Sequence, residues 1–186
     1  MRFTEVEHKF VVEQGFDLAG FRRALEVLGP RRHTSLQVRD RYFVTGDGRA
    51  RHYILRHRFD SELHQLTIKS LSSDPEVRDE ISLDLGHHAG DQAEQVDAFV
   101  ARMGGMWSGR LQKDLDVWYF SDCEVVHYVA SSGGRTVRCV EFEAIGQASI
   151  PAALAVIERY EQATGFDATA RSRRSLVDLL FPGVLR

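Results

Sequence analysis

The chain has 186 residues, with 24 lysine and arginine against 27 aspartate and glutamate, and a formal net charge of −3. That near-balance excludes the basic footprint of a nucleic-acid-binding domain and the charge run of an acidic tail. With 43% hydrophobic and 27% charged residues it reads as one globular domain over 1–186 with an ordinary core, and no apolar run is long enough to span a bilayer. Cys123 and Cys139 form no CxxC pair and read as small strand residues of a reducing compartment. The first residues lead into a strand with no apolar stretch of a signal peptide, so the cytoplasm is the expected location.

Residues 3–12 alternate strictly, with Glu5, Glu7 and Lys9 on one face and Val6, His8, Phe10 and Val12 on the other. Asp17 can cap a helix with the apolar stripe Phe21, Ala24, Leu25 and Leu28, stopped by Gly29-Pro30. A strand over 36–45 follows, then a turn at Gly46-Asp47-Gly48. Strands are predicted over 52–59 and 64–70, a loop at Ser72-Ser73-Asp74-Pro75, and a strand over 76–85 with Arg78, Glu80, Ser82 and Asp84 opposite Val77, Ile81, Leu83 and Leu85. A helix over about 91–103 turns Ala93, Val96, Phe99, Val100 and Met103 inward. Strands at 111–120 and 123–130 lead through Ser132-Gly133-Gly134 into a strand over 136–145. Helices close the chain over about 150–181, the first with Pro151 in its first turn and Leu154, Ile157 and Tyr160 on its apolar side, the last with Leu176, Leu179 and Leu180. About eight strands with few helices predict a mainly β (α+β) fold: a closed, eight-stranded antiparallel barrel with helices packed outside.

Charge recurs on one face of strand after strand. The acids are Glu5, Glu7, Glu80, Glu141 and Glu143; the bases are Lys9, Arg56, Arg58, Lys69, Arg78 and Lys113. For any single strand the pattern fits an open sheet with one wet face. Across eight strands whose other faces are apolar, the charged faces converge inside the barrel. A dry interior cannot hold them: each buried ion costs several kcal/mol, and eleven of them exceed a whole fold's stability of roughly 5–15 kcal/mol. The interior is therefore predicted to be wet, and its mixed charge suits a polyanion bound together with cations. Residues i and i+2 of a strand lie roughly 6.5–7 Å apart on one face, so the pairs Glu5/Glu7 and Glu141/Glu143 can share hard divalent ions. Arg56 and Arg58 offer planar forks for phosphate oxygens, and the lysines offer point charges.

Glu5-Val6-Glu7-His8-Lys9 resembles the ExExK signature of the CYTH domain, or triphosphate tunnel metalloenzymes. In order, Asp40-Arg41-Tyr42-Phe43 resembles the family's D-x-Y-F segment, Leu55-Arg56-His57-Arg58 its LRxR strand and Leu66-Thr67-Ile68-Lys69 its TxK strand. Arg78-Asp79-Glu80 then resembles its RxE strand and Val140-Glu141-Phe142-Glu143 its late ExE strand. The resemblance implies a metal-dependent enzyme of the Mg²⁺ or Mn²⁺ type acting on a small-molecule triphosphate or polyphosphate. Glu5, Glu7, Glu141 and Glu143 would bind metal; Lys9, Arg56, Arg58, Lys69, Arg78 and Lys113 would bind phosphates; Lys9, Glu141 and Glu143 would stand at the catalytic centre. Glu80, Asp40 and Tyr42 are further candidate positions. Two positions depart from the pattern: Ser82 where the family often has a third residue of RxExE, and Leu115 where KxR would place an arginine. Alternation puts Leu115 on the inward face with Lys113. A triphosphate hydrolase, a class IV adenylate cyclase and a non-catalytic polyphosphate-binding module all fit these residues.

The remaining candidates read as structural. His87-His88 has no third ligand and is placed in a surface loop. Arg22-Arg23 and Arg31-Arg32 read as a solvated face, and Arg171, Arg173 and Arg174 as solvating the tail or, less simply, as closing a tunnel mouth. Trp107 and Trp118 read as packing residues, and no Ser-His-Asp spacing matches a triad.

Overall fold

The computed structural model describes residues 2–71 and 74–185; Ser72 and Ser73 of the predicted loop lie outside them. Among the described residues eight strands close into one barrel. They are β1 (Arg2–Val11), β2 (Arg32–Thr45), β3 (Tyr53–Phe59), β4 (His64–Ser70), β5 (Val77–Asp84), β6 (Gly105–Tyr119), β7 (Cys123–Ser132) and β8 (Arg135–Ala144). Their order around the barrel is β1-β5-β4-β3-β2-β6-β7-β8, and every neighbouring pair is antiparallel. The seam between β1 and β8 closes the wall and removes the edges an open sheet would present. At Gly133 and Gly134, both with positive φ, the chain makes the tight turn that joins β7 to β8.

Two strands begin earlier than alternation predicts. β2 starts at Arg32 and β6 at Gly105, and they pair with each other from Arg32↔Tyr119 to Thr45↔Gly105. Their outward positions His33, Ser35, Gln37 and Arg110, Gln112, Asp114 are polar, so no apolar rhythm marks these stretches. The expected turn at Gly46-Asp47-Gly48 is the start of a short helix, α2 (Gly46–Arg51). Thr45 caps it by accepting a hydrogen bond from the Gly48 amide, and His52 ends it in the left-handed region at φ 58°.

Helices α1 (Leu18–Val27), α3 (Ala93–Arg102) and α4 (Ile150–Thr164) lie outside the strand wall. α1 starts at Asp17, whose carboxylate accepts from the Gly20 amide, and buries Phe21 and Leu25. α4 starts at Ser149 and ends at Gly165, φ 79°. Together they cover the outward residues Val6, Phe10, Trp118, Val125 and Phe142. Under α4, His8 meets Glu161 at 2.7 Å, and Arg171 pairs with Glu161 at 2.6 Å. Arg171 is thus a packing residue, and only Arg173 and Arg174 are exposed as the tail reading held.

α3 departs from its predicted stripe. Val96 and Val100 pack on Phe43 and Leu55, but Phe99 and Met103 are 57% and 49% exposed. Asp97 pairs with Arg41 of β2 and Arg110 of β6, and this rolls the helix toward that side. Among the described residues no helix covers the outer face of β4 and β5, so Ile81 and Leu83 stand exposed where an apolar stripe was expected to be covered. The fifth helix, α5 (Leu176–Leu180), lies across one end of the barrel. Its Leu176, Val177 and Leu180 pack against Val44, Ile54, Leu111 and Ala130, which share the inward face of their strands with Asp40, Arg56, Lys113 and Tyr128.

Candidate active site

The inward faces bring together residues from almost the whole chain. A cavity of about 120 Å³ is lined by Glu5, Glu7, Lys9, Arg56, Arg58, Lys69, Arg78, Lys113, Glu141 and Glu143. Tyr42 and Leu115 also line it, so the register that turned Leu115 inward is correct. The two Glu-x-Glu pairs meet at the seam, where Glu7 lies opposite Glu143 and Lys9 opposite Glu141.

The charges form a chain of pairs. Lys9 reaches Glu7 at 3.2 Å and Glu141 at 3.0 Å. Arg78 donates to Glu5 at 3.0 Å and to Glu7. Lys69 bridges Glu5, at 3.3 Å, and Glu80. Glu80, 2% exposed, also lies 3.8 Å from Arg56, so it stands behind the cavity as an anchor for two cations. Asp40, fully buried, does the same on the other side: it accepts both forks of Arg58 at 2.9 Å and Lys113 at 2.7 Å. Ser82 faces Thr67 in the β4–β5 ladder, hydroxyl to hydroxyl at 2.9 Å.

These pairings set the charge states. Burial pushes the Glu7 carboxyl up, but Arg78, Lys9 and Lys69 outweigh it and hold Glu7 below the usual carboxylate range. Burial likewise opposes Asp40, yet Arg58 and Lys113 hold it well below that range. Burial would lower Lys9, which Glu141 and Glu7 reverse, so its ammonium is raised. Glu143 stands apart. Burial and then Glu5, Glu124 and Glu7 push its carboxyl well above the usual range, with Lys69 only partly opposing.

Two residues of this site were missed by the sequence reading. Glu124 lines the cavity and lies directly opposite Glu143 in the β7–β8 ladder; burial raises its carboxyl too. Tyr128, also on the lining, donates its hydroxyl to Glu141 at 2.7 Å. Both follow from alternation, since Glu124, Val126, Tyr128 and Ala130 form one face of β7, but that strand has one acid among apolar residues and no ExE or RxR rhythm. The cavity lining thus carries five carboxylates, Glu5, Glu7, Glu124, Glu141 and Glu143, and six cations, with Asp40 and Glu80 behind it.

No family model matches the sequence, and no curated protein matches it. Solved structures do. The PH1012 protein of Pyrococcus horikoshii superposes with a TM-score of 0.76 at 16% identity, covering 95% of this chain and 99% of that one. A candidate adenylate cyclase of Bacillus halodurans gives 0.66 at 16% identity, covering 97% and 98%. A candidate adenylyl cyclase of Hippeastrum, with a dominant triphosphatase activity, gives 0.51 at 14% identity, covering 87% and 88%.

The chain shares the closed eight-stranded barrel fold of these structures. Leu176 and Val177 of α5 line one end of the cavity. The family resemblance implies a divalent ion among the carboxylates of this cavity. The donors are all carboxylate oxygens, the hard set that suits Mg²⁺ or Mn²⁺. Among the described residues no three such side chains are gathered around one point as they stand, because Glu5, Glu7 and Glu141 are turned to Lys69, Arg78 and Lys9. Glu143 and Glu124 face each other with raised carboxyls, a repulsion that a divalent ion relieves. The residues therefore fit the ion.

Proposed function

We propose that the tunnel hydrolyses the terminal phosphoryl group of a triphosphate in a metal-dependent reaction. The observation that supports this reading is the convergence of six cations and five carboxylates on one cavity, with Glu80 and Asp40 anchoring cations behind it, an arrangement suited to a polyanion with bound cations. Glu5, Glu7, Glu141 and Glu143, with Glu124, would hold the ions. Once bound, these would polarise phosphoryl oxygens and lower the pKa of a water.

The chain's own residues do the rest. Arg56 and Arg58 grip phosphate oxygens with planar forks, and Asp40 and Glu80 fix where those forks point. Lys9, Lys69, Arg78 and Lys113 neutralise the charge that spreads over the transferring group. Phosphoryl transfer is mainly positioning and electrostatics, so the tunnel has no need of a nucleophilic side chain. When triphosphate enters, it takes the cations from the carboxylates and frees those carboxylates for metal. Anion and metal binding thus reinforce each other.

The test is the Glu5→Gln/Glu7→Gln double variant, assayed with tripolyphosphate and Mg²⁺ or Mn²⁺. It is expected to lose hydrolysis by at least about a hundredfold while keeping a cooperative melt. Undiminished turnover would remove the assignment. Products with ATP separate the related activities: orthophosphate marks a hydrolase, and cyclic AMP with pyrophosphate marks a cyclase.

A further inference from the structure

Because α5 closes one end of the barrel, a triphosphate entering the other end leads with its phosphates and leaves any organic group at the open mouth. The cavity of about 120 Å³ is far smaller than the roughly 300–1,000 Å³ that enclose a drug-sized ligand, so the organic group has no place inside. What stands at the open mouth therefore decides which triphosphates are held.

The mouth is found from register. β2 runs from Arg32 to Thr45, and Val44 at its far end packs with α5, so Arg32 marks the open end. Arg32 pairs with Tyr119, and Tyr119 with Glu124 of the cavity lining. The Arg32 guanidinium lies over the Tyr119 ring, 4.1 Å from its centroid. Glu62, in the loop between β3 and β4, accepts both its forks at 3.0 Å. Its plane is thus fixed from the side by a carboxylate and from behind by an aromatic ring, while 52% of the side chain stays open to solvent. A fixed, half-open guanidinium plane is a stacking platform for another flat ring.

We propose that Arg32, backed by Tyr119 and held by Glu62, is the platform on which the planar aromatic group of an organic triphosphate stacks at the tunnel mouth. This rests on the triphosphate reading and names the substrate class. The ligand is a triphosphate ester of a flat heterocyclic compound, rather than inorganic tripolyphosphate.

The experiment measures calorimetric affinities, in Mg²⁺, for three probes: ATP, methyl triphosphate and tripolyphosphate. Methyl triphosphate keeps the ester and lacks the ring. The protein is expected to bind ATP about tenfold more tightly than methyl triphosphate. Arg32→Ala should bring that ratio close to one, and so should Arg32→Lys, which keeps the charge and loses the plane. Tyr119→Phe should preserve it. A ratio of one in the unaltered protein overturns the inference, as does a ratio that survives Arg32→Lys, since charge alone would then account for it. If none of the three probes binds, the triphosphate reading itself fails. If all bind equally, that reading stands and only the platform is lost. Arg32 is exposed, so its variants report on binding without disturbing the core.

Discussion

Glu124 and Glu143 lie directly opposite one another in the β7–β8 ladder, and both carboxyls are raised by burial and by nearby acids. Like charges facing across a ladder destabilise it, so the metal-free protein carries a strain that a divalent ion removes. Mg²⁺ or Mn²⁺ is expected to raise the melting temperature relative to the protein in EDTA. Glu124→Gln should raise the metal-free melting temperature and weaken metal binding about tenfold. Identical melts with metal and with EDTA would contradict this.

The same carboxyls give the metal-free protein an unusual pH profile. A carboxyl raised in the fold binds its proton more tightly folded than unfolded. Its stabilising contribution is therefore complete below the ordinary value of 4.5 and is lost as pH rises through the folded value. Glu5 and Glu124 have the same sign as Glu143. Asp40 has the opposite sign, and its contribution fades only as pH falls below 3.8. Melting temperatures in EDTA are expected to fall as pH rises above the ordinary carboxyl value of 4.5, and Glu143→Gln should flatten that slope. A rising slope would count against the raised carboxyls.

Asp40 makes a prediction about stability. It is fully buried and holds Arg58 and Lys113 in place. Removing one partner of a buried ionic cluster costs about 3–5 kcal/mol, so Asp40→Asn is expected to lower the melting temperature by about 10 °C. It should also weaken triphosphate binding, because both cations lose their aim. An unchanged melt would show that water inside the tunnel already solvates them.

Leu115 interrupts the cations of the tunnel wall beside Lys113, Val126 and Tyr128. Leu115→Arg is expected to tighten tripolyphosphate binding roughly ten- to a hundredfold, the worth of one charge-assisted contact. Calorimetry on the two proteins checks it. Weaker binding would mean that the apolar spot serves the ligand as it is.

Much of this molecule is written in strand alternation. Glu5, Glu7 and Lys9, or Arg56 and Arg58, could be placed on one face because their neighbours Val6, His8, Leu55 and His57 must pack outside. Closure of the barrel and the meeting of the two Glu-x-Glu pairs followed from the need to bury those outer faces without exposed edges. What stayed hidden depends on partners distant in sequence. The first residues of β2 and β6 are strand only because they pair with each other. Phe99 and Met103 look core-facing until Asp97 finds Arg41. Glu124 gains meaning only from Glu143 across the ladder, and the plug role of α5 cannot be read from five residues of helical pattern.

The β1–β8 seam also sets when the site can exist during folding. Glu7 meets Glu143 across most of the chain's length, and the other neighbour of β1 is β5, also distant in sequence. Such distant pairing makes folding slow, because loop-closure entropy is spent before the contacts reward it. During synthesis the first strand emerges long before its partner β8, carrying acids and a lysine whose counter-charges are not yet made. The first strand is thus the last to be enclosed, and the barrel cannot close around a nascent chain until β8 is in place.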